Sequence, residues 1–240
     1  MIPIILITST STMRDKSIWY LENIDVGNIF CPQKVSENLD QEHHKKVAKN
    51  EYVYVPDQDS DTIYFITEGR VKIGSYSDEG KEITKAILGK GEVFGELSLV
   101  GQSKRHDFAI AVEDTALCTI QAKMMKGMIK DHSSLSMFFM KMMGSKVLEM
   151  ENRLESLVFK DSRSRIVEYL VEMVNKRGQR VGYEWVIRNF LTHQEIANLT
   201  ATSRQTVTTV LNELRTEDIL TFNRKRLLIR DLDKLKAEIR

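Results

Sequence analysis

The apolar residues Met140, Met143, Val147, Met150, Leu154 and Leu157 follow one another at spacings of 3, 4, 3, 4 and 3. A strand changes face at every residue, so only a helix gathers these side chains on one line. The pattern predicts one long helix over 133–160 with a heptad seam, and a seam asks for a partner helix, parallel or antiparallel. Packing against the chain's own domain is the alternative, because barely three heptads are present. Methionine dominates the line, which suits an adaptable contact. Gly144 costs a helix interior about 1 kcal/mol relative to alanine and marks a close approach or a flexible point.

This helix divides the chain. Before it, Tyr52–Val55, Thr62–Ile66, Val71–Ile73, Ile83–Leu88, Phe108–Val112 and Ala116–Ile120 are short runs rich in β-branched and aromatic residues. Glycine- and aspartate-bearing turns separate them, such as Asp78-Glu-Gly80 and Gly89-Lys-Gly91. Short, evenly spaced strands of this kind form an antiparallel barrel or sandwich. Residues 1 to about 50 carry no clear pattern.

After the helix, Lys160–Arg163 interrupts the seam and reads as a hinge. Ile166, Tyr169, Leu170, Met173 and Val174 then outline an amphipathic helix ended by Gly178, followed by a strand pair over 181–190. Thr192 with Glu195 has capping-box spacing, which starts a short helix with Ile196 and Leu199 buried. Thr200-Ala-Thr202 is a turn, and Ser203 opens a second helix burying Val207, Val210, Leu211 and Leu214. Two short helices joined by so tight a turn form a helix-turn-helix, whose second helix can enter a DNA major groove. Ile219–Phe222 and Leu227–Ile229 flank Asn223-Arg-Lys-Arg226, a hairpin with a basic tip. That is a wing. A packing unit without nucleic acid would not need hydroxyls, an arginine and a basic hairpin together.

Charge agrees with this division. The whole chain has 35 basic and 34 acidic residues, but residues 160–240 hold 16 basic against 11 acidic, and residues 1–159 hold 19 against 23. The basic half is the candidate for a polyanion. Cys31 and Cys118 are the chain's two cysteines, too few for a disulfide scaffold or a cysteine-held cluster. The five histidines have no metal-ligand spacing and are expected to be structural or solvated. No P-loop, nucleophile elbow or paired acidic motif occurs, so an enzyme is not expected. No apolar run reaches the roughly 18 residues of a membrane span, and the apolar Met1–Ile7 lacks a basic flank and cleavage site. A soluble, cytoplasmic protein is expected.

Residues from about 50 to 235 resemble the CRP/FNR family of bacterial transcription regulators. The resemblance rests on Ile63-Tyr-Phe-Ile66 with Gly69-Arg-Val71, on Gly80-Lys-Glu82 and on Gly91-Glu-Val-Phe-Gly-Glu-Leu-Ser-Leu99. It continues in Leu191-Thr-His-Gln-Glu-Ile-Ala197 and Ser203-Arg-Gln-Thr-Val207. It implies an α+β chain: a tail over 1–22, a jelly-roll-like antiparallel β-roll over 23–132 of cyclic-nucleotide-binding type, a dimerisation helix over 133–160, and a winged helix-turn-helix over 161–240. A homodimer on pseudo-palindromic double-stranded DNA, with half-sites about one helical turn (roughly 34 Å) apart, is the implied assembly. RNA polymerase is the implied further partner, with no membrane role.

By resemblance, Arg204, Gln205, Thr208 and Thr209 stand at or beside base-contacting positions. Arginine pairs bidentately with guanine and glutamine with adenine. The best-known members have glutamate at Gln205 and arginine at Thr209, so a different half-site is expected. Thr192, Gln194, Ser203 and Thr206, with Arg224, Lys225 and Arg226 of the wing, are the expected phosphate contacts. The effector pocket would comprise Gly95, Glu96, Leu97, Arg105, His106, Met150 and Glu151, with Arg105 for a phosphate and Glu96 for a ribose hydroxyl. His106 and Asp107 follow Arg105 where cAMP binders carry a small hydroxyl residue, and Met150 and Glu151 replace hydroxyls that reach a purine. These departures argue against a cyclic nucleotide as effector, leaving another ligand or none. A cAMP-responsive regulator, and a ligand-binding module acting on a protein partner without DNA, are the alternatives.

Overall fold

The structure, a computed structural model, describes residues 44–80 and 82–239. The tail over 1–22 and the first part of the expected β-roll lie outside those residues, as does Cys31. Among the described residues of the first half there are eight strands: β1 (His44–Val47), β2 (Tyr52–Tyr54), β3 (Thr62–Glu68), β4 (Arg70–Tyr76), β5 (Glu82–Gly89), β6 (Val93–Phe94), β7 (Phe108–Ala111) and β8 (Thr115–Gln121). They form two four-stranded sheets, in the orders β1-β8-β3-β6 and β2-β7-β4-β5. Every pairing is antiparallel, as the alternating patterns and tight turns require.

The unbroken run Ile63-Tyr-Phe-Ile66 has a direct cause: β3 is buried on both faces. Tyr64 and Ile66 meet Val71, Ile73 and Leu117 between the sheets. Ile63 and Phe65 point the other way, against Cys118, Ile120 and two helices. Those helices are α1 (Ala122–Asp131) and α2 (Ser133–Phe159), 10 and 27 residues long. At 1.5 Å per residue α2 is about 40 Å long. Its first turns bury Leu135, Phe138, Phe139 and Met142 at helical spacing against the roll. Its second half carries no such cover.

Several short elements escaped the sequence reading, among them β1, β6 and α1. His44–Val47 pairs with β8 from His44 opposite Cys118 to Val47 opposite Thr115. Three of its four residues are exposed, so no apolar alternation announces it.

Lys160 is extended, and Asp161 caps α3 (Ser162–Arg177) by accepting from the Ser164 amide at 2.7 Å. Then come β9 (Gln179–Val181), β10 (Glu184–Arg188), α4 (His193–Leu199), α5 (Arg204–Thr216), β11 (Leu220–Phe222), β12 (Arg226–Ile229) and α6 (Leu232–Ala237). The strand pair expected over 181–190 thus starts at Gln179 and ends at Arg188. The sheet order β11-β12-β10-β9 joins the wing to that pair. Ile166, Leu170, Ile196, Val207, Leu211, Leu214 and Leu227 are among the fully covered residues of this domain's core.

Candidate nucleic-acid interface

Thr192 and Glu195 close the predicted capping box. The Glu195 carboxylate accepts from the Thr192 amide at 2.7 Å, and the Thr192 hydroxyl accepts from the Glu195 amide at 3.2 Å. Ala201 has φ +49 in the turn that follows. Ser203 caps α5, accepting from the Thr206 amide at 3.0 Å. Because α5 buries Val207, Val210, Leu211 and Leu214, its opposite face must turn outward. Arg204, Gln205 and Thr209 are exposed on that face and Thr208 is half-buried among them.

The hydroxyls at these helix starts are largely occupied. That of Thr192 also donates to the Glu195 carboxylate at 2.8 Å, that of Ser203 lies 2.8 Å from the Thr206 hydroxyl, and the Gln194 amide donates to Asn198 at 2.9 Å. Their first task is to hold the helices. At the wing, the Asn223 carboxamide oxygen accepts from the Lys225 and Arg226 amides at 2.8 and 3.0 Å. This side-chain turn leaves Arg224, Lys225 and Arg226 exposed together.

The expected effector residues are arranged differently. Gly95 has φ +79 and starts a 3-10 helix, Glu96–Val100. A Cβ there would lie 2.8 Å from the Thr62 carbonyl and 3.0 Å from an Arg105 nitrogen, so the chain's own atoms fill the cradle. Arg105 is only 2% exposed, with its guanidinium 4.4 Å from the Tyr54 ring centre. It donates to the Gly95 and Thr62 carbonyls, while its Nε has no partner. Glu96 is buried and paired with Lys146 of α2, which also donates to the Val93 carbonyl at 3.3 Å. Burial, then the nearby Asp107 charge, pushes the Tyr54 hydroxyl well above the usual phenol range. Leu97, His106, Met150 and Glu151 are exposed. Gly95, Glu96 and Arg105 are thus brought together: Arg105 donates to the Gly95 carbonyl and keeps its buried Nε unpartnered, while Glu96 is taken by Lys146.

Two stretches of this chain match known families: residues 44–132 the cyclic nucleotide-binding domain, and residues 164–238 the Crp-like helix-turn-helix domain. The global nitrogen regulator of Synechocystis sp. is 30% identical over 183 residues, which cover 75% of this chain and 81% of that protein. The chain belongs to the CRP/FNR family of transcription regulators. Another of its relatives, the CRP-like cAMP-activated global transcriptional regulator of Mycobacterium tuberculosis, is 26% identical over 78% of this chain and 84% of that protein. A CooA variant from Carboxydothermus hydrogenoformans superposes with a TM-score of 0.71 at 28% identity, over 89% of this chain and 94% of that one. A CRP/FNR chain reads DNA through its helix-turn-helix domain, which here is the winged unit from α3 to α6. Among the described residues no helix is long and apolar enough to cross a membrane, and no cluster of His, Cys, Asp and Glu could hold a metal ion.

The contacts of three residues of this CRP/FNR chain were not legible in its sequence. Arg153 of α2 donates to the Lys85 carbonyl on β5 at 2.6 Å and to the Leu199 carbonyl at the end of α4 at 3.1 Å. Arg165 ties the hinge to the helix-turn-helix turn, donating to the carbonyls of Lys160, Thr200 and Ala201 at 2.9, 3.0 and 3.1 Å. His193 bridges α4 to α5, its Nδ1 lying 2.8 Å from the Thr208 hydroxyl. Each joins residues more than fourteen apart, or an arginine to backbone, and neither kind of contact leaves a local pattern.

Proposed function

We propose that the protein works as a homodimeric, sequence-specific regulator that reads a pseudo-palindromic DNA site with the outward face of α5. The observation that carries this reading is the exposed set Arg204, Gln205, Thr208 and Thr209, held on a helix whose other face is locked into the core, beside the basic wing tip. Arg204 and Gln205 supply the bidentate donors and acceptors that tell guanine and adenine from other bases. Arg224, Lys225 and Arg226 supply sequence-independent grip on phosphates, joined by Thr192, Gln194, Ser203 and Thr206 at the helix starts.

Dimerisation is supported by the bare half of α2. Met140, Val147, Met150, Leu154 and Leu157 are all exposed along its line, with Met143 half-buried against the roll. A stripe of that length in water favours a second copy. The effector is not cAMP in this reading, because Glu96 is taken by Lys146 and because His106, Met150 and Glu151 stand where cAMP binders carry hydroxyls. The regulator acts in the cytoplasm, and RNA polymerase is the partner through which a bound dimer alters transcription.

Selection of binding sites from a random duplex pool by the purified protein tests the central reading. A pseudo-palindrome with half-site centres about 10 base pairs apart is the expected result; recovery of no common sequence, or of a single unrepeated half-site, overturns it. Calorimetric titration with cAMP and with cGMP tests the effector reading, which micromolar binding of either would overturn.

A further inference from the structure

The imidazole of His193 sits where three parts of the reading head meet. It opens α4, its Nδ1 lies 2.8 Å from the Thr208 hydroxyl of α5, and its ring stands edge-on to Phe222 of β11 with 5.6 Å between centres. Phe222 is itself braced by Phe190 and by the Arg215 guanidinium at 5.4 Å. The imidazole is therefore confined on the side of the wing.

The Thr208 hydroxyl makes a second contact, to the Arg204 carbonyl one turn back, at 2.9 Å. A hydroxyl has one proton, and a carbonyl can only accept. Both contacts are hydrogen bonds only if the proton of Thr208 goes to Arg204 and the Nδ1–H of His193 donates to the threonine oxygen. This fixes the tautomer of His193 as well as the rotamer of Thr208. Burial, and then the Arg204 charge, hold the imidazole below its ordinary pKa, which favours the neutral ring.

A threonine so held has no hydroxyl proton left to donate. It remains half-buried on the same face as Arg204, Gln205 and Thr209, and what it offers a visiting base beyond one acceptor lone pair is its methyl. We propose that His193 is a specificity-determining positioning residue: by engaging the Thr208 hydroxyl it makes Thr208 a methyl reader that selects the C5 methyl of thymine. Apolar contact with that methyl is the way a threonine recognises thymine in a major groove. The proposal deepens the DNA-reading assignment above and rests on it.

The test uses the full-length protein and the duplex chosen by site selection, with each thymine replaced in turn by deoxyuridine, which lacks only the methyl. Binding is read by fluorescence anisotropy. For wild type, one thymine in each half-site should carry a penalty of about fourfold on replacement. Thr208→Val, which keeps the methyl and removes the hydroxyl, should retain that penalty, and Thr208→Ser, which does the reverse, should abolish it. His193→Phe keeps an aromatic ring but removes the donor, and should flatten the preference; His193→Asn, which restores an N–H near the Nδ1 position, should recover it. The proposal is overturned if Thr208→Ser remains sensitive to deoxyuridine, if Thr208→Val does not, or if His193→Phe and His193→Asn behave alike. A wild-type protein that binds its selected site without any deoxyuridine penalty also overturns it, leaving DNA reading intact. A wild-type protein that selects no site defeats the underlying assignment instead.

Discussion

Truncating Leu154 to alanine should weaken the homodimer about a hundredfold. The side chain is 64% exposed in the single chain, so a partner helix can cover at most about two thirds of it. Leucine to alanine removes three carbons, each worth about 0.8 kcal/mol when fully buried, and about two thirds of that gives a loss near 1.5 kcal/mol per copy. A symmetric seam loses it twice, hence about 3 kcal/mol per dimer, and each 1.4 kcal/mol is tenfold in the dissociation constant. Sedimentation equilibrium over a wide concentration range measures the constant directly, with circular dichroism to establish that the variant retains its helix. Glu155→Ala, exposed on the neighbouring position but off the apolar line, is the control and should leave the constant within about twofold. If Leu154→Ala associates as wild type does, or if wild type stays monomeric far above micromolar concentration, the stripe is not an interface and the paired-reader geometry fails with it.

The remaining predictions concern the reading head and its hinge. Arg204→Ala should cost roughly 1–3 kcal/mol on the selected site and relax one base position, whereas Lys225→Ala should weaken all sequences alike and lower the salt slope by about one, both read from anisotropy titrations at several salt concentrations. Ala201 holds φ +49, a conformation that suits glycine better than alanine, so Ala201→Gly should raise unfolding stability by about 1 kcal/mol in a denaturant melt. Burial alone would raise the Glu168 carboxyl, but hydrogen bonds from Lys160 and Ser156 hold it below its ordinary value. The ionised form therefore stabilises the fold above the unfolded pKa of about 4.3, and that stabilisation drains as pH falls through the lower folded value. The stability gap between wild type and Glu168→Gln should hold steady above about pH 6 and close in acid.

How much was legible in advance follows from what each residue answers to. Thr192 and Glu195 answer to one another three residues apart, so the capping box, and with it the start of α4, could be read directly. The four buried positions of α5 answer to helical period, which makes its outward face predictable from sequence. The strand β1 takes its backbone pairing from β8, far along the chain, and shows water three of its four side chains; no local pattern encodes it. Arg105 could be assigned to a pocket by resemblance, but its engagement depends on the carbonyls of Gly95 and Thr62 and on the Tyr54 ring, which four separate segments bring together. His193 was indistinguishable in sequence from an ordinary structural histidine. What marks it is the hydroxyl opposite, and that hydroxyl arrives through the packing of α4 on α5.

The two halves of the chain meet along β5 and its neighbour β4. Thr84, Lys85 and Ile87 of β5 receive Asn198, Arg153 and Arg177, at 3.4, 2.6 and 2.9 Å, and Arg70 on the adjacent β4 donates to the Asn189 carbonyl at 3.0 Å. Ile87 is also buried in the core of the DNA-binding domain. Three of these four bonds run from an arginine to a backbone carbonyl, and the two accepted by β5, at Lys85 and Ile87, survive most substitutions there while depending closely on where β5 lies. Net hydrogen bonds contribute about 0.5–1.5 kcal/mol each, or somewhat more with a charged donor, so the docking amounts to a few kcal/mol. That is comparable to the 5.5 kcal/mol or so of differential affinity a ligand needs to carry a two-state equilibrium from 1:99 to 99:1. Lys146, which holds Glu96, lies two turns of α2 before Arg153, which holds β5 and the end of α4. Any event that shifts α2 against the roll must therefore strain the Glu96 pair and the Arg153 bridge together. Of the two side chains, Arg153 is the one bonded to the reading head, through the Leu199 carbonyl.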